Sequence, residues 1–223
     1  MPKSRKVTVG VEVTPKKAFA SALEWPGWSR GGKTPEDAVA ALAAYADRYA
    51  AVARRAKVMF PFDASISFDV TEEAEGNAST AFGIPEVRFK ADGRRTTTKD
   101  GQQLAAIVDA AWEIFDRIVA EAPAELRKGP RGGGRDRDKI VEHVVSADGG
   151  YARTLGLKAP EVDPRDHAAV ADLRKRMLEA IRAPSDGSPI AGKKWPPRYA
   201  ARRVAWHALD HAWEIEDRSN PEG

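Results

Sequence analysis

The chain has 223 residues, 42% of them hydrophobic, with a formal net charge of +3 and a pI near 9.1. That length allows one large domain or two small ones, and no apolar run approaches the ~20 residues that span a bilayer. There is no cysteine, which excludes disulfides, a thiolate metal site and a cysteine nucleophile, so any thiol chemistry must bring its thiol in a cofactor.

The opening run Met1-Pro2-Lys3-Ser4-Arg5-Lys6 is basic but passes into alternating residues, not the apolar core of a signal peptide. A cytoplasmic protein without membrane association is expected. Val7, Val9, Val11 and Val13 alternate with Thr8, Gly10 and Glu12, a half-buried strand. Pro15-Lys16-Lys17 is a turn, and Ala18 to Leu23 returns as a second strand. Trp25-Pro26-Gly27-Trp28 and Gly31-Gly32 read as loop. A helix is expected from a Thr34 cap and Pro35 at its first position, with Glu36 and Asp37 at the positive end of its dipole, running to about Ala56. Pro61 closes this region, and Ser65 to Thr71 alternates as a third strand.

Two segments carry a family resemblance: Phe19-Ala20-Ser21-Ala22-Leu23-Glu24-Trp25-Pro26-Gly27-Trp28, then Gly32-Lys33-Thr34-Pro35-Glu36-Asp37-Ala38. With a strand ending in a Pro-Gly turn and a polar, Thr-containing entry to a helix, residues 7 to 71 resemble the HicB-like fold. The resemblance implies an α/β domain that recognises a protein or RNA. The DNA-binding element that usually accompanies such modules in antitoxins is not found.

Residues 72 to 100 read as a connector. Glu72 to Thr80 is acidic and small, Phe82-Gly83-Ile84-Pro85 is a turn, Val87-Arg88-Phe89 a short extended piece, and Asp100 a cap for the next helix. Four amphipathic helices follow, at about Gly101–Leu126, Asp136–Leu155, from Asp163-Pro164 through Ile181, and from Pro197 to Arg218. Four helices of this size predict a bundle. The fold class is therefore α+β, with a small α/β domain at 1–71, a connector at 72–100 and a four-helix bundle at 101–223, each domain with its own core. The Arg127–Arg135 run, with Gly132-Gly133-Gly134 between Arg131 and Arg135, reads as a basic linker. It is not a phosphate-binding loop, because no Gly-Lys-Ser/Thr follows. No groove-reading motif accompanies the basic runs, so no nucleic-acid partner is expected.

His207 and His211 lie four residues apart in the last helix, which puts them on one face, where two imidazoles can bind the same ion. His143 lies in the second bundle helix. If those helices pack together, three nitrogens can form an open site of the kind catalytic metals use. Arg203, His207, His211, Glu214 and Arg218 form one polar stripe at about 100° per residue, which suits a wet or metal-containing cleft better than a dry core. Ala147 and Gly150 continue the His143 face and leave room for a ligand. Trp206 and Trp213 lie on a neighbouring face and should pack. His167, beside Asp166, reads as a surface residue.

The residues Val141-Glu142-His143-Val144 and Trp206-His207-Ala208-Leu209-Asp210-His211 give residues 101 to 219 a resemblance to the DinB-like superfamily, which includes mycothiol- and bacillithiol-dependent enzymes. The resemblance implies His143, His207 and His211 as metal ligands. Three imidazoles suit zinc, nickel or iron as the divalent ion, which can lower the pKa of a bound water or thiol. Glu214 is a candidate to bond a ligand, join the coordination sphere or act as base, and Arg203 to hold an acidic substrate or cofactor group. The expected function is a metal-dependent enzyme acting on a small molecule. A thiol-cofactor S-transferase or isomerase, with mycothiol or bacillithiol as cofactor, comes first. A metal-dependent hydrolase or a non-catalytic binding module is the alternative. The resemblance also implies a homodimer.

Overall fold

A computed structural model describes residues 6–60, 66–129 and 133–219. In chain order the elements are β1 (Lys6–Val13), β2 (Ala18–Ala22), β3 (Ser29–Gly32), α1 (Pro35–Ala44), α2 (Ala46–Arg55), β4 (Ser67–Glu75), α3 (Ala78–Phe82), α4 (Thr98–Glu121), α5 (Arg137–Thr154), α6 (His167–Arg182) and α7 (Pro197–Ser219). The class is α+β, with one four-stranded sheet ordered β3-β2-β1-β4 among the described residues. β1 pairs antiparallel with β2 and parallel with β4, and β2 pairs antiparallel with β3. The basic N-terminal run up to Arg5, Pro61, Ser65 and the Arg131-Gly132 part of the glycine run lie outside the described residues.

The valine alternation of β1 buries Val7, Val9 and Val11 against the core. Trp25 to Trp28 form the expected loop, whereas Gly31-Gly32, also expected in a loop, lie in β3. The turn closes by Ala22 N–H donating to the Trp28 carbonyl, and Gly27 takes φ 89° there. A Cβ on Gly27 would lie 2.8–2.9 Å from Leu209 and Ala205 on α7, so this turn must be bare to dock on the helix. The Trp28 indole stacks on Tyr49 with centroids 5.1 Å apart and donates to the Leu42 carbonyl. Thr34 caps α1 as expected, accepting from Asp37 N. The long helix is interrupted at Tyr45, whose ring lies 3.9 Å under the Arg30 guanidinium and 5.1 Å from Trp213. That contact across to α7 fixes a kink that an alanine-rich sequence does not signal.

β4 runs to Glu75, well into the acidic stretch read as connector, because its backbone pairs with β1 as far as Val13↔Glu75. As an edge strand whose core contact is made by Phe68 near its start, against Trp28, it can carry Glu72, Glu73 and Glu75 further along. The Val87-Arg88-Phe89 segment forms no strand. α3 begins at an Asn77 cap and ends at Gly83. Thr97, not Asp100, caps α4; Asp100 is its reciprocal partner three residues in. α4 ends at Glu121, short of Leu126, and Asp166 rather than Asp163 caps α6.

α4 packs along α7 and α6, and α5 along α7. One buried apolar cluster runs from Val7 on β1 through Leu42, Phe115 and Leu173 to Ile215 on α7. The expected separate cores are therefore not found; α7 serves both halves. Among the described residues no helix is long and apolar enough to cross a membrane. At the α4–α6 contact, a Cβ on Gly101 would lie 2.2 Å from the Arg182 carbonyl oxygen. Gly101→Ala is therefore expected to destabilise the fold by about 1–3 kcal/mol, although helix propensity alone favours alanine by about 1 kcal/mol. Denaturant unfolding checks the sign.

Candidate metal centre

α5 begins at Asp136, whose carboxylate accepts from Leu126 N and pairs with Lys128. α7 begins at Pro197, where a missing N–H costs nothing. Their packing brings His143 against the His207–His211 face. His207 Nε2 lies 3.1 Å from His143 Nε2. Ring centroids are 4.9 Å apart for His143–His207, 5.0 Å for His143–His211 and 4.8 Å for His207–His211, with planes crossed at 65°, 87° and 88°. One ligand nitrogen from each residue lies within 4.8 Å of the others. The three positions expected to converge do so.

His211 Nδ1 is 2.8 Å from Glu214 Oε2, and Glu214 Oε1 accepts from Arg218 Nη1 at 2.6 Å. Arg218 Nε in turn donates to the Arg127 carbonyl at 2.8 Å. The polar stripe is thus a chain of hydrogen bonds. Both Glu214 oxygens are engaged, one at His211 Nδ1 and one at Arg218, a geometry that could serve to orient His211. Such a contact would fix the tautomer of His211 and leave Nε2 to face the cluster, an arrangement typical of metal-bound histidines. Glu214→Ala is expected to lower metal affinity about 10–100-fold, read by competition with a chromophoric chelator; unchanged affinity would remove the orienting role.

Burial, reinforced by His211 and His143, holds His207 well below the usual histidine range. Burial and His211 also lower His143. The hydrogen bond with His211 lowers Glu214, with burial opposing. Neutral imidazoles beside an ionised carboxylate are the forms that bind a cation. Among the described residues His207 has no counterpart to Glu214, and its buried Nδ1 has no partner. It forms the floor of the site at 7% exposure, while His143 and His211 are half-buried. Crossed rings, close donor nitrogens and a carboxylate behind His211 fit one divalent ion held by three histidines.

Gly150 has open space where a Cβ would project, its nearest neighbour being Arg153 Nη2 at 4.0 Å, as the small residues on that face led one to expect. Trp206 and Trp213 are both buried, Trp213 against Tyr45. Tyr151 flanks the site with its ring 5.7 Å from His207. Arg203 is buried, donates to the Pro85 carbonyl at 2.9 Å and lies over the Trp206 ring. His167 is exposed at the start of α6 and lines a separate groove of about 1170 Å³ with Val145, Gly149 and Val162, away from the triad. Sequence reading did not single out Trp195, which packs on Tyr151 at 5.1 Å. A lone tryptophan in a Lys- and Pro-rich linker was its only signal.

No protein-family model matches the chain, and neither a curated protein nor a solved structure is matched by it.

Proposed function

We propose that the protein is a metal-dependent enzyme acting on a small molecule, with His143, His207 and His211 holding one divalent zinc, nickel or iron ion. The observation that carries this reading is the convergence of three imidazole nitrogens within 4.8 Å, with Glu214 bonded behind one of them. A bound ion supplies a Lewis acid that brings the pKa of a coordinated water or thiol toward neutrality. His143 and His211, half-buried, leave the cluster approachable from solvent. Glu214 and Arg218 hold His211 in place, and His207 and Tyr151 wall off the core side.

Thiol-dependent transfer or isomerisation is the favoured chemistry. It is supported by the resemblance of residues 101 to 219 to DinB-like enzymes, and because the chain has no cysteine the thiol would come from the cofactor. Hydrolysis is the second reading, since the same approachable cluster admits water. The N-terminal half is proposed to be HicB-like, supported by the Pro26-Gly27 turn between β2 and β3 and by the Thr34-capped α1. Titrating the cobalt-loaded protein with mycothiol and with bacillithiol tests the chemistry. A sulfur-to-cobalt charge-transfer band with one of them is expected. If neither thiol produces a band or a calorimetric signal, the thiol reading fails and hydrolysis takes its place.

A further inference from the structure

Among the described residues three arginines are buried: Arg174, Arg202 and Arg203. Two have carboxylates: Arg174 meets Asp116 at 2.8 Å and Asp148 at 3.3 Å, and Arg202 meets Asp92 at 2.6 Å. Arg203 has none within ion-pair reach. Its hydrogen-bond acceptor is the Pro85 carbonyl, its Nε is buried without a partner, and so is Nε1 of the Trp206 indole beneath it. A buried cation without a counter-charge is costly.

The position of Arg203 supplies a reason for it. It lies one helical turn from His207 on the same face of α7. The Tyr199 hydroxyl donates to the Glu86 carbonyl at 2.6 Å, the residue after the Pro85 carbonyl that Arg203 engages, so Tyr199 and Arg203 meet the same stretch of backbone. Tyr151 stands 5.7 Å from His207 and 5.1 Å from Trp195, and Trp195 stands 5.2 Å from Tyr199. Trp195 is half-buried, so this aromatic wall reaches the surface. The Glu86 carboxylate contacts Asn77 Nδ2 at 3.4 Å and forms no ion pair with Arg203.

We propose that Arg203 is the anion-binding residue of the site and that the substrate class is a small carboxylate. Its charged end meets Arg203, its body lies against Tyr151 and Trp195, and its other end reaches the three histidines. One guanidinium matches one carboxylate as a two-point fork. This inference rests on the metal reading above.

The test uses the cobalt-loaded full chain and two probes, 3-mercaptopropionate and its uncharged relative 3-mercaptopropionamide, each titrated through the sulfur-to-cobalt band. The acid should bind at least about tenfold tighter, a difference of about 1.4 kcal/mol. Arg203→Met should erase that preference and leave the amide's affinity unchanged. Equal affinities in the parent overturn the proposal, and so does a preference that survives in Arg203→Met. Should that variant fail to fold, Arg203→Lys decides: a charge without the fork should cut the preference severalfold, and an unchanged preference overturns the proposal. A parent that takes up no cobalt fails the metal reading instead. The carboxylate claim is then read on the metal-free protein, where the Arg203 Nε–Hε resonance should shift with the acid and not the amide. No shift with the acid overturns it.

Discussion

His211→Ala is expected to reduce bound metal from one ion per chain to below about a tenth after dialysis, because two imidazoles cannot hold an ion that three hold firmly. The fold should survive the change. His211 is half-buried, its side chain contacts Glu214 and the neighbouring rings, and Glu214 keeps its hydrogen bond from Arg218. Far-ultraviolet circular dichroism and the unfolding midpoint should therefore match the parent. Elemental analysis showing equal metal in variant and parent would remove the three-histidine site.

The second large effect lies away from the metal. Asp92 and Arg202 form an ion pair whose side chains are 4% and 3% exposed. Arg202 also donates to the Val87 carbonyl at 2.8 Å, and Asp92 accepts from Phe89 N at 2.8 Å. Next to this pair, Glu12 on β1 accepts from Thr80 Oγ1 at 2.6 Å, Glu86 N at 3.1 Å and Val87 N at 3.0 Å. These bonds bind the sheet, the segment before α4 and α7 into one unit. Asp92→Ala leaves a buried guanidinium without its counter-charge and is expected to cost about 3–5 kcal/mol, measured by urea unfolding. A loss below about 1 kcal/mol would show the pair to be hydrated and the belt to be unimportant.

What could be read from the sequence divides along a physical line. Alternation located β1 and the first part of β4, the Pro15-Lys16-Lys17 turn gave the return into β2, and helical periodicity gave the four long helices, because those signals are local. The same logic placed His207 and His211 on one face and His143 on the second bundle helix, and only the packing of the two helices had to be supplied by the fold. Elements set by distant partners were not legible. β3 exists because its backbone pairs with β2 and its turn docks on α7 at Ala205 and Leu209. β4 extends through acidic residues because β1 offers a ladder, and Tyr45 breaks a helix because Arg30 and Trp213 hold its ring. The continuous core is a further case: no local pattern shows that α7 will be buried along most of its length by two different layers.

The site divides in the same way. Helical spacing placed Glu214 and Arg218 on the histidine stripe, but not which nitrogen of His211 the carboxylate would take. Arg202 and Arg203 are adjacent and identical in type, yet one is neutralised by Asp92, 110 positions earlier, and the other by nothing among the described residues. That distinction depends on the path of the segment between β4 and α4, which the sequence presents as an unpatterned connector.

The central claim is that His143, His207 and His211 hold one ion together. X-ray absorption at the zinc edge of protein loaded with one equivalent of zinc tests it most directly. The account predicts one retained ion per chain after dialysis, with three imidazole nitrogens at about 2.0–2.1 Å. Zinc that dialyses away, or a spectrum with no more than one imidazole in the coordination shell, would contradict it.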